Sequence, residues 1–154
     1  MKKLAILGVL VLMAITLAMV IPAQAKVTSN QWEPFSGYTV SPCTGDTIDW
    51  VGTWHVVYSE TYDGAGGSHV NAHTNIQVNG IDRETGDAYR AWGEINTSTN
   101  TNSSDAQTYK YVYTLKSMGP GSDDNATLYG LAVMTYNAKG ELTVEISIDG
   151  VNCK

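Results

Sequence analysis

The chain has 154 residues, with nine basic residues against fifteen acidic ones and a formal net charge of −6. That length fits one domain, and the absence of a basic face excludes a nucleic-acid partner. Two cysteines this isolated cannot by themselves supply a metal site, and no nucleotide-binding loop or nucleophile elbow occurs.

Residues 1–25 read as a signal peptide. Lys2 and Lys3 form a basic start, Leu4 to Ile21 is almost wholly apolar, and Pro22-Ala23-Gln24-Ala25 supplies a small-residue cleavage site. Cleavage removes two of the nine basic residues, so the mature chain carries seven against fifteen, a balance of −8. After cleavage no membrane partner is expected; localisation is secreted or periplasmic, in the style of a bacterial export substrate. Export makes Cys43 and Cys153 a disulfide pair.

Residues 26–42 hold Pro34, Gly37 and Pro42 among Trp32, Phe35, Tyr38 and Val40. They read as an extended N-terminal arm that lays apolar side chains on the body. A β-barrel domain over 43–154 follows, with strands predicted at 46–62, 68–79, 88–97, 107–118, 126–137 and 141–152. Turn-forming residues separate them, from Asp63-Gly64-Ala65-Gly66-Gly67 to Asn137-Ala138-Lys139-Gly140. Connections this short leave no room for crossover helices, so neighbours are antiparallel.

Alternation sets the register. Trp50, Trp54, Val56 and Tyr58 share the even face of the first predicted strand, and Val70, Ala72, Ile76 and Val78 that of the second. Pairing apolar with apolar requires partner numbers that sum to about 130. In the last hairpin, a turn at Ala138–Gly140 pairs Tyr136 with Leu142 and Met134 with Val144, all toward the core. Glu141, Glu145 and Asp149 then face solvent. The strand over 126–137 is apolar on both faces through Tyr129, Leu131 and Val133; the aromatic arm or a protein partner would cover the second face. Gly52, Gly93 and Gly130 read as bends or bulges.

An even number of strands in meander order brings the last back beside the first, with Cys43 and Cys153 at the same end. The predicted fold is therefore all-β, an antiparallel meander closed into a barrel of about six to eight strands by one disulfide joining first and last strands. A β-sandwich is the alternative.

His55, His69 and His73 fall on one face of the first hairpin, with His73 opposite Val57. They are the candidate metal ligands, for Zn²⁺ or Cu²⁺; the plain alternative is a polar outer face. Asp82, Glu84 and Asp87 form an acidic loop without EF-hand spacing. No catalytic residue and no cofactor is assigned. The aromatic content, nine tyrosines and four tryptophans, is compatible with a ligand pocket. The leading function is non-catalytic binding of a small hydrophobic molecule or a protein partner. The alternative is a barrel enzyme or metal-binding protein that uses the histidine face.

Gly52-Thr53-Trp54 resembles the G-x-W element of lipocalins, which implies a closed barrel with a small apolar ligand; the second lipocalin element is absent. A wider set is Cys43-Thr44-Gly45-Asp46, Gly52-Thr53 with His55-Val56-Val57, Asp63-Gly64 with Gly67 and His69, Gly119-Pro120-Gly121, Asn137-Ala138 with Gly140-Glu141-Leu142-Thr143-Val144, and Cys153. Together these resemble a family of small exported bacterial all-β proteins of unknown function. That resemblance implies no catalytic or binding residues.

Overall fold

The structure is a computed structural model that describes residues 26–121 and 123–154; the expected signal peptide lies outside the described residues. Seven antiparallel strands form one sheet in the order β1-β2-β3-β4-β5-β6-β7. They are β1 (Lys26–Val40), β2 (Thr47–Tyr62), β3 (Ser68–Asp82), β4 (Ala88–Thr101), β5 (Gln107–Met118), β6 (Ala126–Tyr136) and β7 (Leu142–Cys153). Among the described residues no helix is long and apolar enough to cross a membrane.

The region expected as an extended arm is extended, and it is also hydrogen-bonded along β2 as a seventh strand. Pro34 lies within it, which an edge strand tolerates because the missing N–H can face away from the ladder. Phe35 stacks on Trp54 with ring centroids 5.1 Å apart, while Trp32, of opposite parity, stacks on His55 at 4.3 Å. The arm therefore covers the β2 edge and not the outer face of β6.

This extra strand also changes the topology. In a meander of odd strand number the first and last strands run the same way, so they cannot close as an antiparallel pair. β1 occupies the β2 edge that the last strand would have used in a six-stranded closure. The sheet keeps β1 and β7 as its two edges and is not closed into a barrel, nor is it split into the two sheets of a sandwich.

It is nonetheless curled. Laid flat, six strand spacings would separate its edges by about 29 Å. Yet Cys43, in the turn after β1, is bonded to Cys153 at the end of β7, with Cα atoms 5.6 Å apart. The curl needs inward positions without side chains. A Cβ on Gly52 would run into the Gln77 carbonyl and lie 2.6 Å from the Val78 Cα, and one on Gly93 would meet the Thr114 carbonyl. At these two positions adjacent backbones approach closely enough to bend the sheet.

The buried apolar core is Ile48, Trp50, Val78, Tyr89 and Ala126. All belong to the starts of even strands or the last turns of odd ones, the end carrying the disulfide. At the opposite end the inner face holds half-buried Tyr109, Met134 and Tyr136 around an open recess of about 610 Å³.

The β2–β3 register matches expectation, with Trp54 opposite Ile76 and His73 opposite Val57. The last hairpin departs from it. Tyr136 pairs with Leu142, but a bulge then shifts the ladder so that Thr135 pairs with Val144 and Met134 with Glu145. The unpaired Thr143 donates its hydroxyl to the Thr135 carbonyl at 3.0 Å. A one-residue slip exchanges the faces of a strand. Val144, Ile146 and Ile148 therefore point outward beside Tyr129, Leu131 and Val133, whereas Glu145 and Asp149 point inward. Asp149 is not merely solvated: it accepts the Tyr113 hydroxyl at 3.1 Å.

Because the disulfide encloses a sequence separation of 110 residues, its removal releases a long loop in the unfolded chain. The double variant Cys43→Ser/Cys153→Ser should be less stable by about 2–5 kcal/mol, measured by urea unfolding. Loss of compactness should centre on the Ile48–Trp50 end, read by hydrogen exchange.

Candidate functional site

Each face of this curled sheet carries a recess. The inner one is an apolar cavity of about 290 Å³. It forms because β2 and β3 turn their even residues inward and β4 its odd ones, which brings Trp50, Trp54, Val78, Ala91 and Leu115 together with Phe35 from β1. None of the three histidines lines it.

The two tryptophans of the cavity differ in a way that matters chemically. Trp50 donates its indole Nε1–H to the Thr39 hydroxyl at 2.8 Å. The Trp54 Nε1 is buried with no partner. A buried donor without an acceptor costs about 1–3 kcal/mol, so this indole is a buried unsatisfied donor in a largely apolar wall.

Below the cavity, polar groups seal the disulfide end. The Asp82 Oδ1 accepts the backbone N–H groups of Glu84 at 2.8 Å and Thr85 at 2.7 Å, and the Thr85 hydroxyl at 3.2 Å. The Thr85 and Glu84 backbone bonds outweigh its burial and hold its carboxyl below the ordinary carboxylate range. The acidic loop without EF-hand spacing thus spends the Asp82 Oδ1 on its own turn. Tyr89 donates to the Asp46 carboxylate at 3.2 Å; burial, then the nearby carboxylates of Asp124 and Asp46, pushes its hydroxyl up to about 12.

The outer face carries the histidines, each tied to an asparagine. His55 Nε2 lies 2.7 Å from the Asn30 Oδ1, His69 Nδ1 2.7 Å from the Asn100 Oδ1, and His73 Nδ1 2.6 Å from the Asn96 Oδ1. An amide oxygen only accepts, so the histidine nitrogen carries the proton in each contact. His73 then accepts the Asn75 amide at its other nitrogen, at 3.1 Å, and both ring nitrogens are used. Among the described residues no group of three His, Cys, Asp or Glu side chains converges as metal ligands would. The face expected from the alternation is real; its histidines belong to cross-strand amide pairs.

No family model, curated protein or solved structure matches the chain.

The sequence did not single out Trp92. Extending the β2–β3 register into β4 would have found it, since Gln77 pairs with Trp92.

Asp82 has a clear pH consequence. Its folded pKa lies below its unfolded value, so its contribution is complete above the ordinary carboxylate range and is lost as pH falls through the folded value. Asp49, lowered by Arg83, and Asp63, lowered by the Gly67 and Ala65 amides, act in the same direction. The melting temperature should therefore fall on acidification below the carboxylate range. In Asp82→Asn the melting temperature should be lower at neutral pH and the acid slope shallower, as followed by circular dichroism across a pH series.

Proposed function

We propose that this protein is an exported, non-catalytic binding protein whose curled sheet holds a small, largely apolar molecule bearing one hydrogen-bond acceptor. The observation that carries this reading is the 290 Å³ apolar cavity whose wall includes Trp54, with its buried and unpartnered indole N–H. The lining supplies dispersion contacts and area removed from water. A carbonyl or ether oxygen on the ligand would relieve the indole. The volume sits near the small end of ligand sites, which favours a compact ring or short chain over a full lipid. The disulfide and the predicted signal peptide fit a secreted or periplasmic location. The absence of histidine from the cavity wall separates this reading from an enzyme built on His55 and His73.

Naphthalene and 2-acetylnaphthalene, the same scaffold without and with an acceptor, provide the test by tryptophan fluorescence titration. The wild type should bind the ketone more tightly. Trp54→Phe should remove that preference, and Ala91→Leu, which grows into the cavity, should weaken both ligands by at least ten-fold. Absence of binding to either molecule, or an Ala91→Leu variant that binds as well as the wild type, would contradict the reading.

The outer face of β7 supports a second association, with another copy of this chain. This edge strand contains no lysine, arginine or proline, the residues that usually blunt a free edge, and Val144, Ile146 and Ile148 are 44%, 46% and 55% exposed. Antiparallel pairing of β7 with its own copy about Ile146 aligns Val144 with Ile148 and sets Glu145 against Ser147, so the acids are not directly opposed. Light scattering across a concentration series should show a dimer that Ile146→Lys converts to a monomer; a wild type monomeric throughout would remove this reading.

A further inference from the structure

On the convex side of the sheet, a groove of about 480 Å³ runs between two exposed tryptophans. Trp32 is 66% exposed and Trp92 40% exposed, unusual exposure for the largest apolar side chain in a small domain whose core sits on the other face. The register explains the arrangement. Trp32, His55, Asn75, Glu94 and Thr114 are successive partners across β1 to β5, forming one row perpendicular to the strands. Trp92 stands on β4 in the adjoining row, opposite Gln77. Three strand spacings put the two indoles about 14 Å apart across the sheet.

Each wall and floor group has a defined chemical capacity. Trp32 is held flat by stacking on His55, with the ring planes 18° apart, and His55 is itself anchored to Asn30. The result is a braced apolar platform at one end, with Trp92 at the other. Between them Gln77 offers two amide donors and an acceptor, Asn75 its acceptor and the donor not spent on His73, and Glu94 offers acceptors. The groove's formal charges, Glu94 and Lys116, are of opposite sign, so it selects no net charge. A second recess of about 450 Å³ continues from Gln77 and Trp92 to Asn79 and Arg90, which lengthens the track.

Flat aromatic platforms with amide and carboxylate groups between them match a ligand with apolar ring faces and neighbouring hydroxyls around its edge. A purely apolar ligand would leave the amides unpaired, and a polyanion would meet a strongly acidic protein. We propose that this outer groove binds a neutral oligosaccharide, with one sugar ring on Trp32, another on Trp92, and the hydroxyls between them paired with Asn75, Gln77 and Glu94. The groove and the inner cavity meet at Ile76, Trp92 and Lys116, which line both, whereas Trp32, Asn75, Gln77 and Glu94 line the groove and not the cavity.

Isothermal titration of the mature, oxidised protein with cellotetraose, chitotetraose and maltotetraose tests it, alongside sedimentation with insoluble cellulose and chitin. At least one of these sugars should bind. Trp32→Ala and Trp92→Ala should each weaken that binding ten-fold or more, while Ile148→Ala, on the same face but outside the groove, leaves it unchanged. Trp32→Ala should keep the wild-type affinity for 2-acetylnaphthalene, because Trp32 does not line the inner cavity, which separates loss of the groove from loss of the fold and from failure of the cavity reading. Failure of every sugar to bind, or sugar binding that survives the double variant Trp32→Ala/Trp92→Ala, would overturn the proposal.

Discussion

The constraint on which the structure depends is the bond between the β1–β2 turn and the end of β7. A seven-stranded meander has two free edges that run in the same direction, and nothing in its hydrogen-bond ladder brings them together. Cys43 and Cys153 do so at one end, with Cα atoms 5.6 Å apart. The core follows that end: Ile48, Trp50, Val78 and Tyr89 pack there, and the inner face loosens toward the opposite turns. The apolar cavity lies between these regimes. It needs curvature to have walls and incomplete closure to have a mouth.

One bulge decides what each face of the last strand presents. Without the shift at Thr135/Tyr136, Val144, Ile146 and Ile148 would fill the interior and the acids would be outside. With it, Asp149 reaches Tyr113 from within and the aliphatic row is displayed on a free edge. The two faces consequently divide their chemistry. The inner one has its apolar core at the pinned end and is polar toward β7. The outer one carries the histidine–asparagine pairs and the tryptophan-flanked groove across β1–β5, then turns apolar over β6 and β7.

Much of this was legible in the sequence where alternation was unbroken. The β2–β3 hairpin alternates cleanly through Trp50, Trp54, Val56 and Tyr58, and its turn glycines leave little choice of register. The disulfide and its position at one end followed from the expected export and from strand order. The β1 strand was harder to see because its aromatics occupy both parities, Phe35 inward and Trp32 and Tyr38 outward, and Pro34 interrupts the pattern. Such a strand reads as an arm until its partner is known. That one omission made the strand count even and the closure antiparallel. The β7 faces were misread for another reason: a single unpaired residue, Thr143, leaves no mark in composition yet exchanges every side chain after it. The histidine face was found, but its asparagine partners lie 25 positions away for His55 and 31 for His69 and become visible only through the full register. The unpartnered Trp54 indole belongs to three-dimensional packing and has no sequence signal.

The central claim is that the pinned curl encloses an apolar site around an indole in need of an acceptor. The most direct measurement is two-dimensional ¹⁵N–¹H NMR of the oxidised protein, following the Trp54 indole N–H as 2-acetylnaphthalene is added. The account predicts that this resonance moves with saturation and that its proton exchanges more slowly with solvent, while the amides of β7 stay in place. A Trp54 indole that does not respond while other residues shift would contradict it.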